Sequence, residues 1–495
     1  MMGKQEKPQG KLFYTDFNLE KRVAKNHVLR KIARCIDFDF VYKEVKDKYG
    51  KNGNVSVPPP VILKMMFLLI FYNVRSEREL MDTIPVRLDW LWFLGYDLDD
   101  EIPDHSVLSK ARNRWGPEVF KNFFERIVHQ AVDAGLVSGD KIFMDSSLVD
   151  ANASNNSVVD TTSLKRYFKK SYRELESRLE KEPDDCVKKS GKNNRRYIST
   201  TDPDASVIRR GNGKSKLQSQ INRAVDVKSE IITATEVTPG EVNEATRLKS
   251  LMDSHHENTG RKAEVVVADT KYGTVENYLS CYDRGVMAHI PSLEEAHKSC
   301  GRKQGIFLRE EFTYNPDDDT FTCPAGQTLK KRKQRNVRDH HFYFVPAKIC
   351  KNCDLKKRCT RSKENRIIKR HVRQDELDFM LEQAKGPRAK DDINIRKHLM
   401  ERSFATASRY GFDRARWRRN WRNEIQEYLT SSIQNIMIII KNVKEPTPAL
   451  ITKQKCLDKS ALFVFQGQYY RLNNAVIEFF SFFSSYRYCL CENHG

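Results

Sequence analysis

The sequence lacks a long apolar run. The longest, residues 61–72, has only 12 residues and is interrupted by Lys64, whereas a membrane-spanning helix needs roughly 20. The N-terminus also has no apolar core of the kind that a secretory signal peptide carries. We therefore expect a cytoplasmic protein that has no membrane partner.

A disulfide framework is also missing. The 11 cysteines are odd in number and partly clustered, which indicates a reducing compartment.

Acidic residues are in the minority. Lys and Arg number 87 against 66 Asp and Glu, so the formal net charge is +21 and the pI is about 9.4. Such a charge suits a polyanionic partner such as DNA or RNA. A length of 495 residues allows two to four domains of roughly 100–200 residues each.

The region before residue 140 is predicted to be helical. Pro58-Pro-Pro60 starts an apolar helix that runs through Tyr72, and Ser76 and Glu79 have the spacing of a capping box. We assign residues 1–50 to a basic N-terminal arm and residues 51–138 to a helical DNA-binding domain. A helix-turn-helix-like module and a plain helical bundle with a solvated basic face both fit this pattern.

Strand patterns replace the helical pattern from residue 140 onward. The predicted strands are 141–149, 220–227, 231–237, 265–268 and 286–290, with helices over 242–252 and 275–282. This order is that of a ribonuclease H-like core, in which the first and fourth strands lie side by side. The predicted fold is therefore a multidomain α+β or α/β protein, with this mixed-sheet core over 139–291 and 391–445.

Three separated carboxylates are the candidate catalytic residues. Asp145 and Asp269 each end a short apolar run, and Glu401 lies in a stretch that is typical of a helix. Two Mg²⁺ or Mn²⁺ ions need oxygen ligands of this kind and can support an in-line displacement at phosphorus. Taken singly, each carboxylate also has an ordinary explanation as a turn, cap or solvated residue.

Two segments interrupt the predicted core, and one follows it. Residues 161–215 form a charged insertion with a predicted helix over 164–179, and residues 446–495 form a tail to which we assign no role. The β-rich insertion 292–390 carries Cys323, Cys350, Cys353 and Cys359. Four thiolates favour a structural Zn²⁺ site, and the alternative is reduced, unliganded cysteines.

A basic stretch follows Glu401 directly. Residues 402–422 contain seven arginines and one aspartate, and Trp417 and Trp421 are four apart, so they share a helix face. The tryptophans either stack on bases or pack into the core, and packing is the favoured reading. The candidate DNA-binding residues are Lys271, Lys397, Arg402, Arg409, Arg414, Arg416, Arg418, Arg419 and Arg422.

The motifs together resemble bacterial insertion-sequence transposases of the DDE class. The resemblance extends from about residue 50 to residue 440 and includes the cysteine-bearing insertion. It is carried by Pro58-Pro-Pro60, Arg75-Ser-Glu-Arg-Glu-Leu80, Trp92-Phe-Leu-Gly-Tyr-Asp-Leu-Asp99, Pro103-Asp-His-Ser-Val-Leu-Ser109, Met144-Asp-Ser-Ser-Leu-Val-Asp-Ala-Asn-Ala-Ser154, Thr201-Asp-Pro-Asp-Ala205, Ala268-Asp-Thr-Lys-Tyr-Gly273 and Glu401-Arg-Ser-Phe-Ala405.

The resemblance implies a metal-dependent DNA strand-transfer enzyme. Asp145, Asp269 and Glu401 would be its metal-binding triad, and double-stranded DNA, both element ends and target, would be its partner. A homodimer on nucleoid DNA follows from the need to hold two element ends together.

The sequence departs from the family pattern around the third carboxylate. Related transposases usually have Tyr seven residues and Arg four residues before the Glu, and Lys seven residues after it, where this chain has Asn394, Lys397 and Ser408. Lys397 keeps a positive charge but not the bidentate fork of arginine. The alternatives are therefore a catalytically impaired copy that only binds DNA, and a host nuclease that hydrolyses DNA without strand transfer.

Overall fold

The computed structural model describes residues 2–3, 18–50, 52–161, 194, 196–209, 213–293, 305–332 and 339–443. The predicted helix 164–179, most of the charged insertion 161–215 and the whole tail 446–495 lie outside the described residues.

Helices make up most of the described chain before residue 140. Prolines open the longest apolar helix, where a missing backbone N–H costs nothing, and the Ser76 side chain accepts the Glu79 N–H at 3.1 Å to cap the next helix. The helices are α1 (Leu19–Arg22), α2 (Val28–Cys35), α3 (Val41–Val45), α4 (Pro59–Phe71), α5 (Glu77–Thr83), α6 (Leu88–Leu94), α7 (Ser106–Trp115) and α8 (Glu118–Asp133).

One apolar core holds these helices together. Helix α4 is buried on nearly all sides, because its neighbours surround it. The core contains Leu29 and Ile32 from before residue 50 and Leu63 from after it, so the packing runs across the predicted boundary at residue 50. Across the described residues, no helix combines the length and apolarity needed to cross a membrane.

A mixed sheet forms the centre of the chain. Its strands are β1 (Lys141–Asp150), β4 (Ser206–Ile208), β5 (Lys216–Asp226), β6 (Ile232–Pro239), β7 (Val265–Val267) and β8 (Met287–His289), while β2 (Val158–Asp160) pairs separately with β3 (Tyr197–Ser199). The order is β4-β5-β1-β7-β8, with β6 also on β5. Strand β1 pairs antiparallel with β5 and parallel with β7. The predicted adjacency of the strand that carries Asp145 and the strand that precedes Asp269 is confirmed.

Helices cover both faces of this sheet. Ile142 and Met144 of β1 pack toward α9 (Leu248–Thr259), α10 (Val275–Asp283) and α13 (Gln374–Lys385). Phe143, on the other face, packs with Leu399 and Met400 of α14 (Pro387–Ser408). This alternation follows from the two-residue side-chain period of a strand.

The insertion folds around a small sheet of its own. Strands β9 (Thr313–Asn315), β10 (Thr320–Thr322), β11 (Thr328–Lys331), β12 (His340–Phe344) and β13 (Ile367–His371) pair in chain order. Two short helices, α11 (Ala347–Lys351) and α12 (Lys356–Cys359), lie between the last two strands. The β-rich prediction for this segment is confirmed.

The last described helix, α15 (Asn420–Asn442), packs against both the N-terminal helices and the sheet. Ile433 and Ile436 belong to the N-terminal core. On the sheet side, Glu427 accepts two hydrogen bonds from Arg223 of β5, at 2.7 and 2.9 Å, and both side chains are fully buried.

Candidate active site

Asp145 and Asp269 lie where the pairing of β1 with β7 ends, at the C-terminal edge of the short strand β7. The parallel register pairs Phe143 with Val267, and each aspartate follows its paired residue by two positions. Burial is the main cause of the raised pKa of the Asp145 carboxyl, and the negative charge of Asp269 raises it further. The two carboxylates are therefore close enough to interact.

The loop after β7 fixes Asp269. Its carboxylate accepts the backbone N–H of Lys271 at 3.0 Å and so caps a 3₁₀ helix, Thr270–Tyr272. A cap of this kind orients the carboxylate without neutralising its charge.

Arg396 of α14 holds the other aspartate. Its Nη1 donates to Asp145 Oδ2 at 2.7 Å, and it counteracts part of the rise in the Asp145 pKa. One helical turn earlier, Asp392 pairs with Lys141 at 2.7 Å and with His289 at 2.6 Å. These contacts fix α14 across β1 and β8.

Glu401 lies on a different side of α14. It follows Arg396 by five residues, which places the two side chains about 140° apart around the helix. Glu401 is exposed, whereas Arg396 is buried and contacts Asp145. The structure thus brings together two of the three predicted carboxylates.

Glu244 is a carboxylate at this edge that the sequence analysis missed. It begins a 3₁₀ helix, Glu244–Arg247, just after β6, and is only 4% exposed. It accepts hydrogen bonds from the Ser146 hydroxyl and, at 3.0 Å, from Gln220 Nε2, and it pairs with Lys271 at 2.6 Å. Burial raises the Glu244 pKa, Lys271 lowers it, and the charges of Asp269 and Asp145 raise it. No local pattern marks Glu244, because its neighbours come from three distant segments.

The carboxylates of Asp145, Asp269 and Glu244 suit divalent ions that are each held by two carboxylate side chains. Among the residues that the structure describes, no group of three or more His, Cys, Asp or Glu side chains is placed to share one ion. Mg²⁺ is usually held by one or two carboxylates and completes its shell with water and phosphate oxygens. The site can therefore offer pairs of carboxylates to a hydrated ion.

Six of the predicted DNA-binding residues are exposed: Lys271, Lys397, Arg402, Arg409, Arg414 and Arg418. Several of the nine are anchored to protein groups: Lys271 to Glu244, Arg402 to Glu230, Arg416 to Asn73 and Val74, Arg418 to the Asn152 carbonyl, Arg419 to Asp204, and Arg422 to Asn113.

Both tryptophans of the basic stretch pack against the N-terminal core. Trp417 donates to Glu77 at 3.0 Å and lies under the Arg112 guanidinium, 4.1 Å from the ring centre. The packing interpretation for the indoles is confirmed.

The four cysteines of the insertion line one cavity of about 40 Å³. The Cys323 sulfur accepts the Gln327 N–H at 3.3 Å, in a turn closed by Gly326. Burial raises the pKa of Cys359, and the other three thiols raise it further. No three of these thiols are placed to share one ion in the described structure, so the zinc site stays a prediction.

The chain matches two families of transposase domains. Residues 17–114 match a transposase domain of the DUF772 family, and residues 322–440 match a transposase DDE domain. The second match includes Glu401 and the basic stretch but neither aspartate. Both matches are to transposase domains, and the predicted resemblance to DDE transposases is confirmed. No curated protein matches the chain.

Two solved structures show weak likeness. A Mos1 transposase paired-end complex with the left transposon end is 12% identical with a TM-score of 0.16, and the match covers 50% of this chain and 64% of that one. A piggyBac transposase synaptic complex with hairpin DNA is 11% identical with a TM-score of 0.24, over 86% and 82% of the respective chains. At these TM-scores the likeness does not establish a common fold.

Proposed function

We propose that this transposase binds the double-stranded DNA ends of its element, cleaves the phosphodiester there and joins the ends to target DNA. The supporting observation is the placement of Asp145 and Asp269 at one edge of adjacent parallel strands, where the sequence order predicts a ribonuclease H-like site. The match to a transposase DDE domain supports the same chemistry, because DDE transposases are metal-dependent polynucleotidyl transferases.

Asp145, Asp269 and Glu401 would hold two Mg²⁺ or Mn²⁺ ions. When bound, such ions activate the attacking oxygen and stabilise the leaving one in an in-line displacement. Arg396 and the N–H of Ser146 orient the two oxygens of Asp145 at 2.7 and 2.8 Å. Each carboxylate oxygen keeps a further lone pair for another partner.

We assign DNA contacts to the basic residues beside this edge. Lys397, Arg409, Arg414 and Arg418 are exposed, and guanidinium and ammonium groups bind phosphates. The assignment extends to Lys271, Arg402, Arg416, Arg419 and Arg422, each of which also has a protein partner. Two element ends must be held together, which supports a homodimer on DNA.

The catalytic proposal is tested on labelled DNA that carries the element ends, with Mg²⁺ or Mn²⁺. We expect nicking and joining by the wild type, and a loss of at least about a hundredfold in Asp145→Asn, Asp269→Asn and Glu401→Gln. Asp140→Asn is the matched control, since this exposed residue lies just before β1. Wild-type activity in the three variants would overturn the assignment.

A non-catalytic DNA-binding protein is the second candidate. It is favoured by the position of Glu401, on a side of α14 away from Arg396, together with the departures at Asn394, Lys397 and Ser408. Specific binding of element ends with no cleavage under either metal would establish this candidate. Nicking without joining would instead identify a nuclease.

We also propose that Cys323, Cys350, Cys353 and Cys359 bind one structural Zn²⁺. They line one cavity, and closing a tetrahedral site there requires reorientation of the thiols. Elemental analysis of the purified chain should find one zinc, lost in Cys350→Ser/Cys353→Ser and retained in Cys35→Ser. Cys35 is a half-buried free thiol of α2 and serves as the control. A wild-type chain without zinc, purified from zinc-supplemented cells, would refute this proposal.

A further inference from the structure

Glu244 has the surroundings of a metal ligand. Its carboxylate is held by groups from three segments: Ser146 on β1, Gln220 on β5 and Lys271 after β7. Gln220 Nε2 also donates to the Ser146 hydroxyl at 2.8 Å, so the three groups form one connected network. The carboxylate is thus fixed in direction, as a ligand must be if it is to bind an ion without reorganising.

The charges around Glu244 favour a cation. Glu244, Asp145 and Asp269 interact with one another, and their charges are opposed by two cationic side chains, Lys271 and Arg396. Arg396 is buried, but the Lys271 side chain is 61% exposed. An exposed ammonium on a flexible stem is readily displaced, whereas the Glu244 carboxylate stays buried beside two other acids.

Two unsatisfied polar atoms point to a ligand at the same place. The Tyr272 hydroxyl and Gln220 Oε1 are buried, and neither has a hydrogen-bond partner within the described structure. Tyr272 is fully buried and its ring lies near Glu244, Asp145 and Asp269, whose charges contribute to its raised pKa after burial itself. Buried polar atoms in native proteins almost always have partners. The Tyr272 hydroxyl can donate a hydrogen bond and Gln220 Oε1 can accept one, so each can be satisfied by water.

We propose that Glu244 is a further ligand of the metal centre, binding one hydrated divalent cation together with Asp145 or Asp269. The Tyr272 hydroxyl and Gln220 Oε1 then bond to water held on that ion, because Mg²⁺ keeps several of its waters in protein sites. Lys271 leaves Glu244 when the ion binds. This inference rests on the proposed metal-dependent function and adds a ligand to it.

The test is direct titration of the full-length chain with Mn²⁺, followed by electron paramagnetic resonance, with Mg²⁺ as competitor. Glu244→Gln should weaken Mn²⁺ binding at least about tenfold or remove one bound ion. Glu244→Asp should retain part of the affinity, because it keeps the charge. Glu236→Gln is the matched control. Like Glu244, Glu236 pairs with a cationic side chain, Arg247 at 2.9 Å, and with a serine hydroxyl. The Glu236→Gln variant should bind Mn²⁺ like the wild type.

Lys271→Met separates a ligand from a merely structural carboxylate. If the ion displaces Lys271 from Glu244, removal of the ammonium should strengthen Mn²⁺ binding several-fold, and this gain should disappear when Lys271→Met is combined with Glu244→Gln. Wild-type Mn²⁺ affinity in Glu244→Gln would overturn the inference. Failure of this inference can be distinguished from failure of the proposed function. Mn²⁺ binding that is lost in Asp145→Asn but kept in Glu244→Gln refutes only this inference. A wild-type chain that binds no Mn²⁺ refutes the proposed metal chemistry itself.

Discussion

Glu424 is an ionisable residue outside the candidate site whose environment disfavours its charge. It lies near the start of α15. Burial raises its pKa to about 7, with further increases from Glu118 and Glu236 and a small opposing effect from Lys121. The carboxyl therefore binds its proton more tightly in the folded chain than in the unfolded one.

This shift makes stability depend on pH. A raised carboxyl pKa contributes stability that is present at low pH and is lost as the pH rises from about 4.5 toward 7. Glu424→Gln should match the wild type near pH 4.5 and exceed its unfolding free energy at pH 8 by up to about 3 kcal/mol. Denaturant unfolding at both pH values measures the difference. An exposed control, Glu382→Gln, should show no such pH dependence, and an equal effect of Glu424→Gln at both pH values would contradict the account.

At the residue scale, the sequence identifies a carboxylate only where its local pattern is distinctive. Asp145 and Asp269 each follow a run of apolar residues, and strand prediction locates both. Glu244 follows a turn whose residues are common in turns of any kind, so its local sequence is not distinctive. Only the pairing of β1 with β5 brings Ser146 and Gln220 to it. Its importance is a property of the tertiary structure.

At the element scale, a buried ion pair joins β5 to α15. Arg223 and Glu427 are 0% and 1% exposed in their side chains. Arg223 also lies over Phe404 and Phe412 at 5.0 and 4.8 Å, and Thr235 and Ser431 donate to Glu427 at 2.8 and 2.7 Å. This network connects the sheet with both C-terminal helices.

Breaking this pair should be costly. Glu427→Gln leaves the Arg223 charge buried without a counter-ion, which we expect to reduce the unfolding free energy by about 3–5 kcal/mol. The exposed pair Arg402–Glu230 is the matched comparison, and Glu230→Gln should cost less than about 1 kcal/mol. Thermal and denaturant unfolding of both variants measures these values; equal effects would show that burial does not control the strength of the pair.

Element types are predicted more accurately than element ends. The prediction 220–227 locates β5, but the strand begins at Lys216 because its first residues pair with β4. The prediction 242–252 ends too early, since α9 runs to Thr259. Its last turn is polar yet buried, with Asn258 donating to the Thr233 carbonyl at 2.8 Å. Hydrogen-bonded polar residues do not produce an apolar periodicity.

At the scale of the whole molecule, exposed basic residues beside α14 contrast with those on the opposite sheet face. Arg409 and Arg414 are exposed just after the end of α14, and Lys249 is exposed on α9, which packs on the other face of the sheet. The proposed DNA contacts therefore predict that Arg409 and Arg414 bind phosphates and that Lys249 does not.

DNA binding measured at several salt concentrations tests this contrast. Arg409→Ala/Arg414→Ala should weaken binding of element ends and reduce the magnitude of the log–log salt slope by about 1–2, since each lost phosphate contact releases fewer counterions. Lys249→Ala should leave the slope unchanged. An unaltered slope in the double variant would place the DNA elsewhere.

The sequence predicts the order of the helices and strands along the chain, but not the contacts between elements that are far apart in the sequence. Strand succession indicates the central sheet, and the helical N-terminus and β-rich insertion are predicted correctly. The packing of Trp417 on Arg112 and of Ile433 in the N-terminal core depends on chain segments about 300 residues apart or more, and no local pattern reports such contacts.

Helix α15 also determines when the N-terminal core can be completed during synthesis. Ile425, Leu429, Ile433, Ile436 and Ile439 belong to that core, and the helix ends at Asn442 of a 495-residue chain. Because a ribosome releases the chain from its N-terminus, the first helices emerge long before their last packing partner. A nascent chain that stops short of α15 exposes the apolar surface that this helix would cover, so premature termination yields an aggregation-prone product rather than a compact shorter protein.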